Sequence, residues 1–268
     1  MASDAGVRVE RDGGIVRITI DRPDKRNSLH SAAMAALADA VVAAGTDETA
    51  RVVVLAGTGK HFCAGADLVS ANPDKRSSGP PKTGHMERSL AQTPHRLMRA
   101  IWELELPVVS VVQGHAAGIG CNLALVADFC VAARTAVFTE PFTRIGFTPD
   151  SAGSFLLPRL VGLSRAKEML LLGRPIDGAQ AADWGLITAA VDEDKLAEES
   201  EALIAELASA ATLSVGLAKL LVHRNLAADM TTAMANEAMA VELSIRSRDF
   251  KEGIAAFKEK RQPKFEGG

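Results

Sequence analysis

The sequence predicts an α/β fold with a helical C-terminal third, on three observations. A β-branched run, Val108 to Val112, follows Pro107 and reads as a buried strand; the glycine-dense turn GHAAGIG, Gly114 to Gly120, then leads into an apolar helix carrying Asn122 and Leu123. By residue 68 the order strand, helix, strand, glycine turn has already appeared once, which is how α/β domains place ligand sites at strand ends. From Ser154 to Phe265 nearly everything is helical in pattern, except turns at Gly173 to Gly178, at Gly185 and around Val191.

Taken in order, Val7 to Glu10 and Ile15 to Ile20 alternate around Asp12-Gly13-Gly14 and predict a hairpin. The basic loop DRPDKRNSL follows, with Ser31 as the expected cap of an Ala-rich helix from Ala32 to about Ala44. Arg51 to Ala56 is a short apolar strand ending in GTGKHFCAGADL; Ser70 to Gly84 is polar, rich in proline and glycine, and reads as a surface loop. Helix resumes near Glu87 and runs to about Glu105, and after the central turn Phe129 to Ala132 and Val137 to Thr139 are short strands. The apolar stripes of the helical third exceed what its own polar faces balance, so some of it packs on the α/β core and some on a neighbouring subunit. We divide the chain into a core over residues 1–200 and a C-terminal helical region over 201–268. No internal repeat is visible.

Composition narrows the function. With 268 residues, 47% of them hydrophobic, the chain can bury a large core, and a net charge of -3 argues against nucleic acid or an anionic membrane as the main partner. Cys63, Cys121 and Cys130 are odd in number and lack CxxC spacing, which suggests neither a disulfide framework nor a zinc site, and points to a reducing cytoplasm. No stretch has signal-peptide or membrane-spanning character. A soluble cytoplasmic protein is expected.

Three motifs could carry chemistry: the two glycine turns, HFCAGADL and HAAGIGCNL, and the segment GFTPDSAG. Each turn could present an inward N–H, from Ala66 in the first and Ile119 in the second; two such groups on one oxygen form an oxyanion hole, each donor contributing about 2.7–4 kcal/mol at a transition state. The helix after Gly118 and Gly120 would add its N-terminal field. A turn that needs glycine only for its own geometry would have the same sequence.

Together DRPDKRNSL, KHFCAGADL, VQGHAAGIGCNLALVADF, FTEPFTRIGFTPDSAGSFLLPRLVG, GRPIDGAQAADWGLI and AFKEKRQPKF resemble the enoyl-CoA hydratase/isomerase, or crotonase, superfamily over nearly the whole chain. The resemblance implies a superhelical core of ββα units, a C-terminal helical region used for trimerisation, and trimers or hexamers built as dimers of trimers. It also implies an acyl-CoA substrate whose thioester oxygen lies between the Ala66 and Ile119 N–H groups, with no metal or redox cofactor. The substrate-binding positions expected from it are Arg26, Ser28, Ala64, Asp67, Leu68, Gly118, Asn122 and Phe142. Phe257 and Lys260 would contact CoA bound in a neighbouring protomer.

The departures from the family pattern are informative. Hydratases use two glutamates, one in the helix after the second glycine turn and one after a proline; those places hold Asn122 and Phe142 here, and neither side chain is a base. Asp150, in GFTPDSAG, matches the acid-base aspartate proposed for phenylacetate-pathway ring-epoxide isomerases, and also resembles the nucleophile of chlorobenzoyl-CoA dehalogenases. It also stands where it could merely cap a helix over Ser151 to Leu160. Glu140 is a displaced candidate base, although alternation along FTEPF would turn it away. His115 reads as satisfying a backbone group beneath the turn, His61 as exposed, Asp128 as tying down a loop, and Cys63 and Cys121 as packing groups. Arg26, Lys60 and Lys260 are candidate phosphate contacts, or simply solvated charges. The favoured mechanism is enolate chemistry in which Asp150 moves one proton between carbons, with Phe142 raising its pKa by desolvation. Hydration, hydrolase or dehalogenase chemistry, and acyl-CoA binding without catalysis remain the alternatives.

Overall fold

The computed structural model describes residues 5–67 and 82–268; Leu68 and most of the expected Ser70–Gly84 loop lie outside them. Two sheets organise the chain. In the larger, β1 (Val7–Asp12) and β2 (Ile15–Ile20) form the expected hairpin, and β3 (Val52–Gly57), β4 (Val108–Val112), β6 (Phe129–Ala133) and β9 (Ala189–Val191) continue in parallel in the order β1-β2-β3-β4-β6-β9. The smaller has the order β5-β7-β8, from His115–Ala117, Val137–Thr139 and Ile176–Asp177. Strands β5, β8 and β9 lie where the sequence reads only as turns. At two or three residues each, they are too short to show a period of two.

Single-residue bridges extend the smaller sheet past β5, from Ala116 to Cys63 and from Ala66 to Leu29. The chain therefore repeats one path: a strand in the large sheet, an extended stretch in the small sheet, then helix. β2, Leu29 and α1 (Ser31–Gly45) make one turn; β3, Cys63–Ala66, α2 (His85–Gln92) and α3 (Pro94–Trp102) make the next; β4, β5 and α4 (Ile119–Leu125), then β6, β7 and α5 (Gly153–Leu172), follow. This is the ββα superhelix the resemblance implies, built without any repeat in the residues themselves.

Local chemistry moves two boundaries. Helix α1 is capped by His30, whose Nδ1 accepts from the Ala33 N–H at 3.0 Å, while Ser31, the expected cap, is the first helical residue. The single helix expected from Glu87 to Glu105 is two, broken at Thr93. Pro94 has no N–H to continue the ladder and biases the preceding residue out of helical geometry, so it begins α3 instead.

The large sheet is covered on both faces, which is why β3 and β4 read as unbroken apolar runs. Val53, Leu55, Val108 and Val112 face the main core, while Val52, Val54 and Val109 pack against Ile204 of α7 (Leu196–Ser209). After β8 the chain passes through α6 (Gly178–Asp183) and ends in α7, α8 (Thr212–Asn225), α9 (Met230–Ser244) and α10 (Arg248–Glu259). Helix α7 spans the expected boundary at residues 200 and 201 and closes one face of the sheet, so that boundary falls inside a packed element.

Helix α8 is tied to the core by one buried charge. Lys219 Nζ donates to the Ile101 and Leu106 carbonyls at 3.3 and 3.1 Å and to Asp128 Oδ2 at 2.8 Å; the same oxygen accepts from the Val108 N–H at 2.8 Å. Asp128 does tie down its loop, as expected. Outward, α9 and α10 expose Met230, Met234, Met239, Val241, Phe250, Ile254 and Phe257. Among the described residues no single helix is long and apolar enough to cross a membrane.

Breaking the Lys219–Asp128 pair leaves a buried carboxylate held by the Val108 N–H, with His223 nearby. Lys219→Ala is therefore expected to lower the unfolding free energy by about 3–5 kcal/mol, and Lys219→Met with Asp128→Asn by less, because both charges go together. Urea denaturation of the two variants checks this, and a double variant less stable than the single one would contradict it.

Candidate active site

The two glycine turns pack backbone to backbone. Cys63 N donates to His115 O at 2.9 Å and Ala117 N to Cys63 O at 3.0 Å, joining the first turn to the strand that precedes the second. A Cβ on Gly120 would stand 2.3 Å from Cys63 O, and one on Gly65 2.9 Å from Ala117 O. Only glycine permits this approach. Gly118 adopts φ 53° and ψ −122° and donates its N–H to Thr139 O at 2.9 Å, which fixes the start of α4.

That packing sets two N–H groups on neighbouring segments. Leu29 bonds to Gly65 O and Asp67 N, so the N–H of Ala66 between them turns away from Leu29, to the side where β5 lies. Ile119 is the first residue of α4, where a helix leaves its N–H groups without partners. Among the described residues neither N–H has an acceptor within the chain. Helix α4 has only seven residues, all buried, so its field is small and the individual N–H groups matter more than the macrodipole.

Bonded to α4 is the segment before α5. Asp150 is half-buried; its Oδ1 accepts from the buried Ser151 hydroxyl at 2.7 Å, and its carbonyl accepts from Gly153 N at 3.0 Å and Asn122 Nδ2 at 3.2 Å. Ser151 and Ala152 both have left-handed φ, at 49° and 68°, a strain that these bonds hold in place. The capping alternative for Asp150 fails: α5 begins at Gly153, with Ala152 at the N-cap and no side-chain cap bond. Asn122, expected to bind substrate, has no exposed surface and clamps the Asp150 backbone instead. Phe142 is buried beside Gly118, 3.5 Å from where a Cβ would stand, and leans on Phe147.

The residue undervalued by sequence reasoning is Glu140. It has no exposed surface, and neither carboxyl oxygen is within bonding geometry of an N–H or O–H among the described residues. Burial pushes its pKa up to about 8; the Cys121 thiol beside it pulls the other way, and the charge of Asp150 adds to the rise. The alternation that was expected to turn Glu140 away carries it inward, because Phe138, two residues earlier, is a core residue. The fully buried Phe138 was the available signal. Cys63 and Cys130 are pushed up to about 12 by burial, and Cys121 is also raised, so the thiols pack as expected and stay neutral.

The remaining expected positions divide. Asp67 is paired with Arg22 at 3.1 Å with its side chain 5% exposed, so it secures the loop rather than facing a ligand. The Ser28 carbonyl takes the same guanidinium, Ala64 N donates to Arg26 O at 3.0 Å, and Asn27, buried and unforeseen, stitches the loop through Arg22 N and the carbonyls of Thr58 and His61. The two histidines exchange their expected roles: His61 Nδ1 accepts from the His115 N–H at 3.2 Å, and His115 is exposed. Burial lowers the pKa of His61, with further lowering from the charges of His115, Arg26 and Lys60; these four form a basic rim beside the first turn. Phe257 is 83% exposed on α10, and Lys260 is its left-handed C-cap; among the described residues no hydrogen bond, ion pair or ring contact joins either to the two turns.

Residues 10–268 match the family model for enoyl-CoA hydratase/isomerase. The 1,2-epoxyphenylacetyl-CoA isomerase of Escherichia coli K12 is 36% identical over 95% of both chains. The crotonyl-CoA hydratase of Syntrophomonas wolfei is 32% identical over 96% of both. The crystal structure of an enoyl-CoA hydratase from Bacillus anthracis superposes with a TM-score of 0.89 at 31% identity, covering 98% of this chain and 100% of that one. With residues 10–268 matching the family model and these relatives covering at least 95% of its length, this chain belongs to the enoyl-CoA hydratase/isomerase family.

Proposed function

We propose that this protein is an acyl-CoA isomerase that moves a double bond, or opens a strained ring, through a thioester enolate, with Asp150 as acid-base. The observation that carries this reading is the state of the carboxylates. Asp150 is held by its neighbours without being consumed by a cap, while Asn122 and Phe142 occupy both places where hydratases of the family carry glutamate. The thioester oxygen would accept from the Ala66 and Ile119 N–H groups. Asp150 takes a proton from one carbon, the bonding pair moves into the enolate, and the same proton returns to a second carbon. One carboxylate suffices, because nothing is added and nothing leaves, and the scheme requires no metal or redox cofactor.

In this reading Arg26 and Lys60 of the basic rim face the CoA phosphates. Phe257 and Lys260 reach CoA bound in a neighbouring copy, and the apolar faces of α9 and α10 are buried in a trimer or hexamer. The relatives named above carry both isomerase and hydratase names. A second reading, hydration, draws support from Glu140, which brings a second carboxyl to the site.

Asp150→Asn keeps size and removes the base, so isomerisation of a 3-enoyl-CoA should fall by about 10²–10⁴-fold in kcat with KM little changed. Hydration of a 2-enoyl-CoA by the unaltered protein should be poor; robust hydration unaffected by Asp150→Asn would instead support the second reading. Replacing Phe257 and Lys260 together by alanine, at positions whose exposure spares the fold, should weaken CoA binding by about tenfold in titration calorimetry. Unchanged affinity in a still-oligomeric variant would remove both residues from the site.

A further inference from the structure

Among the described residues, three other buried charges have clear partners. Lys219 has Asp128 and two carbonyls, Asp67 has Arg22, and Asp249 accepts the N–H groups of Glu266 and Gly267 at 2.7 and 2.8 Å. Glu140 stands apart: it is fully enclosed, with neither oxygen held by an N–H or O–H among the described residues, next to the Cys121 thiol and within reach of the Asp150 charge. An ionised carboxylate in such a place has no cation among the described residues to hold it. A neutral one is far less costly there, and it keeps a second negative charge away from Asp150.

We propose that Glu140 is a positioning residue of this site that works in its protonated form, so that its enclosed carboxyl adds no second negative charge near Asp150. This rests on the reading of Asp150 as the acid-base. Glu140 keeps its proton while Asp150 takes one from substrate and returns it. Ionising Glu140 would put a second anion beside the enolate and oppose its formation. Among the described residues, the ionisable groups bearing on Glu140 are Cys121 from α4 and Asp150 from the segment before α5, and Cys130 of β6 bears on Cys121. Both thiols are raised by burial and stay neutral through the range that matters, so the alkaline response belongs to Glu140.

The test compares the unaltered protein with Glu140→Gln, a fixed mimic of the neutral form, in two measurements. The first is the pH profile of kcat/KM on a 3-enoyl-CoA or aryl-CoA thioester. The unaltered protein should lose activity as pH rises through about 8, and Glu140→Gln should abolish that fall while keeping activity at pH 7 within about threefold. The second needs no substrate. A carboxyl whose folded pKa is raised binds more protons folded than unfolded, so its burial weakens the fold progressively between its unfolded value, near 4.3, and about 8. The Tm of Glu140→Gln should therefore gain on that of the unaltered protein over that interval.

Parallel Tm curves would overturn the protonated state, and an alkaline limb unchanged in Glu140→Gln would reduce Glu140 to packing. A loss of about 10²-fold or more at pH 7 would make Glu140 itself the proton carrier and overturn the proposal. Diverging Tm curves without turnover of any acyl-CoA would overturn the Asp150 reading, and the positioning role with it, while leaving the buried proton in place. Should glutamine not be accommodated, Glu140→Leu removes the charge and the need to solvate it, and the same two comparisons apply.

Discussion

The close approach of two backbone segments, Cys63–Ala66 and Ala117–Gly120, is the contact on which the site depends. It requires hydrogen once at Gly65 and again at Gly120, where any larger substituent would meet a carbonyl oxygen. The bonds it makes, Cys63 N to His115 O and Ala117 N to Cys63 O, attach the first turn to the small sheet. Ala66 bridges on to Leu29, so one contact sets the frame of three successive turns of the superhelix. Two N–H groups are left over by the same geometry. A site of this kind needs no dedicated side chain for its donors, because the donors are what the packing leaves unpaired.

Around that frame the polar groups are arranged by cost. Asn27, Asp67 and Arg22 saturate one another and the loops they join, and Lys219 with Asp128 fastens α8 to the strand that feeds the second turn. Asn122 turns its amide to the Asp150 carbonyl, and the left-handed Ser151 and Ala152 are held by the bonds around them. Among the described residues the buried polar atoms without a hydrogen-bond partner include Asn122 Oδ1 and both Glu140 oxygens, and others stand apart from them at Arg8, Arg51, Thr58 and Thr212.

Much of the fold was legible in the residues because it is local. The hairpin, the runs Val52–Gly57 and Val108–Val112 and the glycine turns have patterns that fit within one element. What was misread was either too short to have a pattern, as in β5, β8 and β9, or depended on a competing local rule, as where Pro94 splits a helix and an imidazole caps α1 in place of a hydroxyl. The pairing of Asp67 with Arg22 was not legible, because the two stand 45 residues apart.

By itself the sequence determined the family, the glycine turns, the absence of glutamate at positions 122 and 142, and Asp150 as a candidate acid. These are properties of which residue stands in which motif, and folding does not alter them. Only the tertiary structure decided that His61 rather than His115 supports the turn, that Asn122 clamps Asp150, and that Glu140 is enclosed beside it. The physical reason is solvation. Whether a carboxyl is a surface charge or a buried acid depends on what covers it, and the cover over Glu140 comes from elements that sequence order separates and only folding brings together.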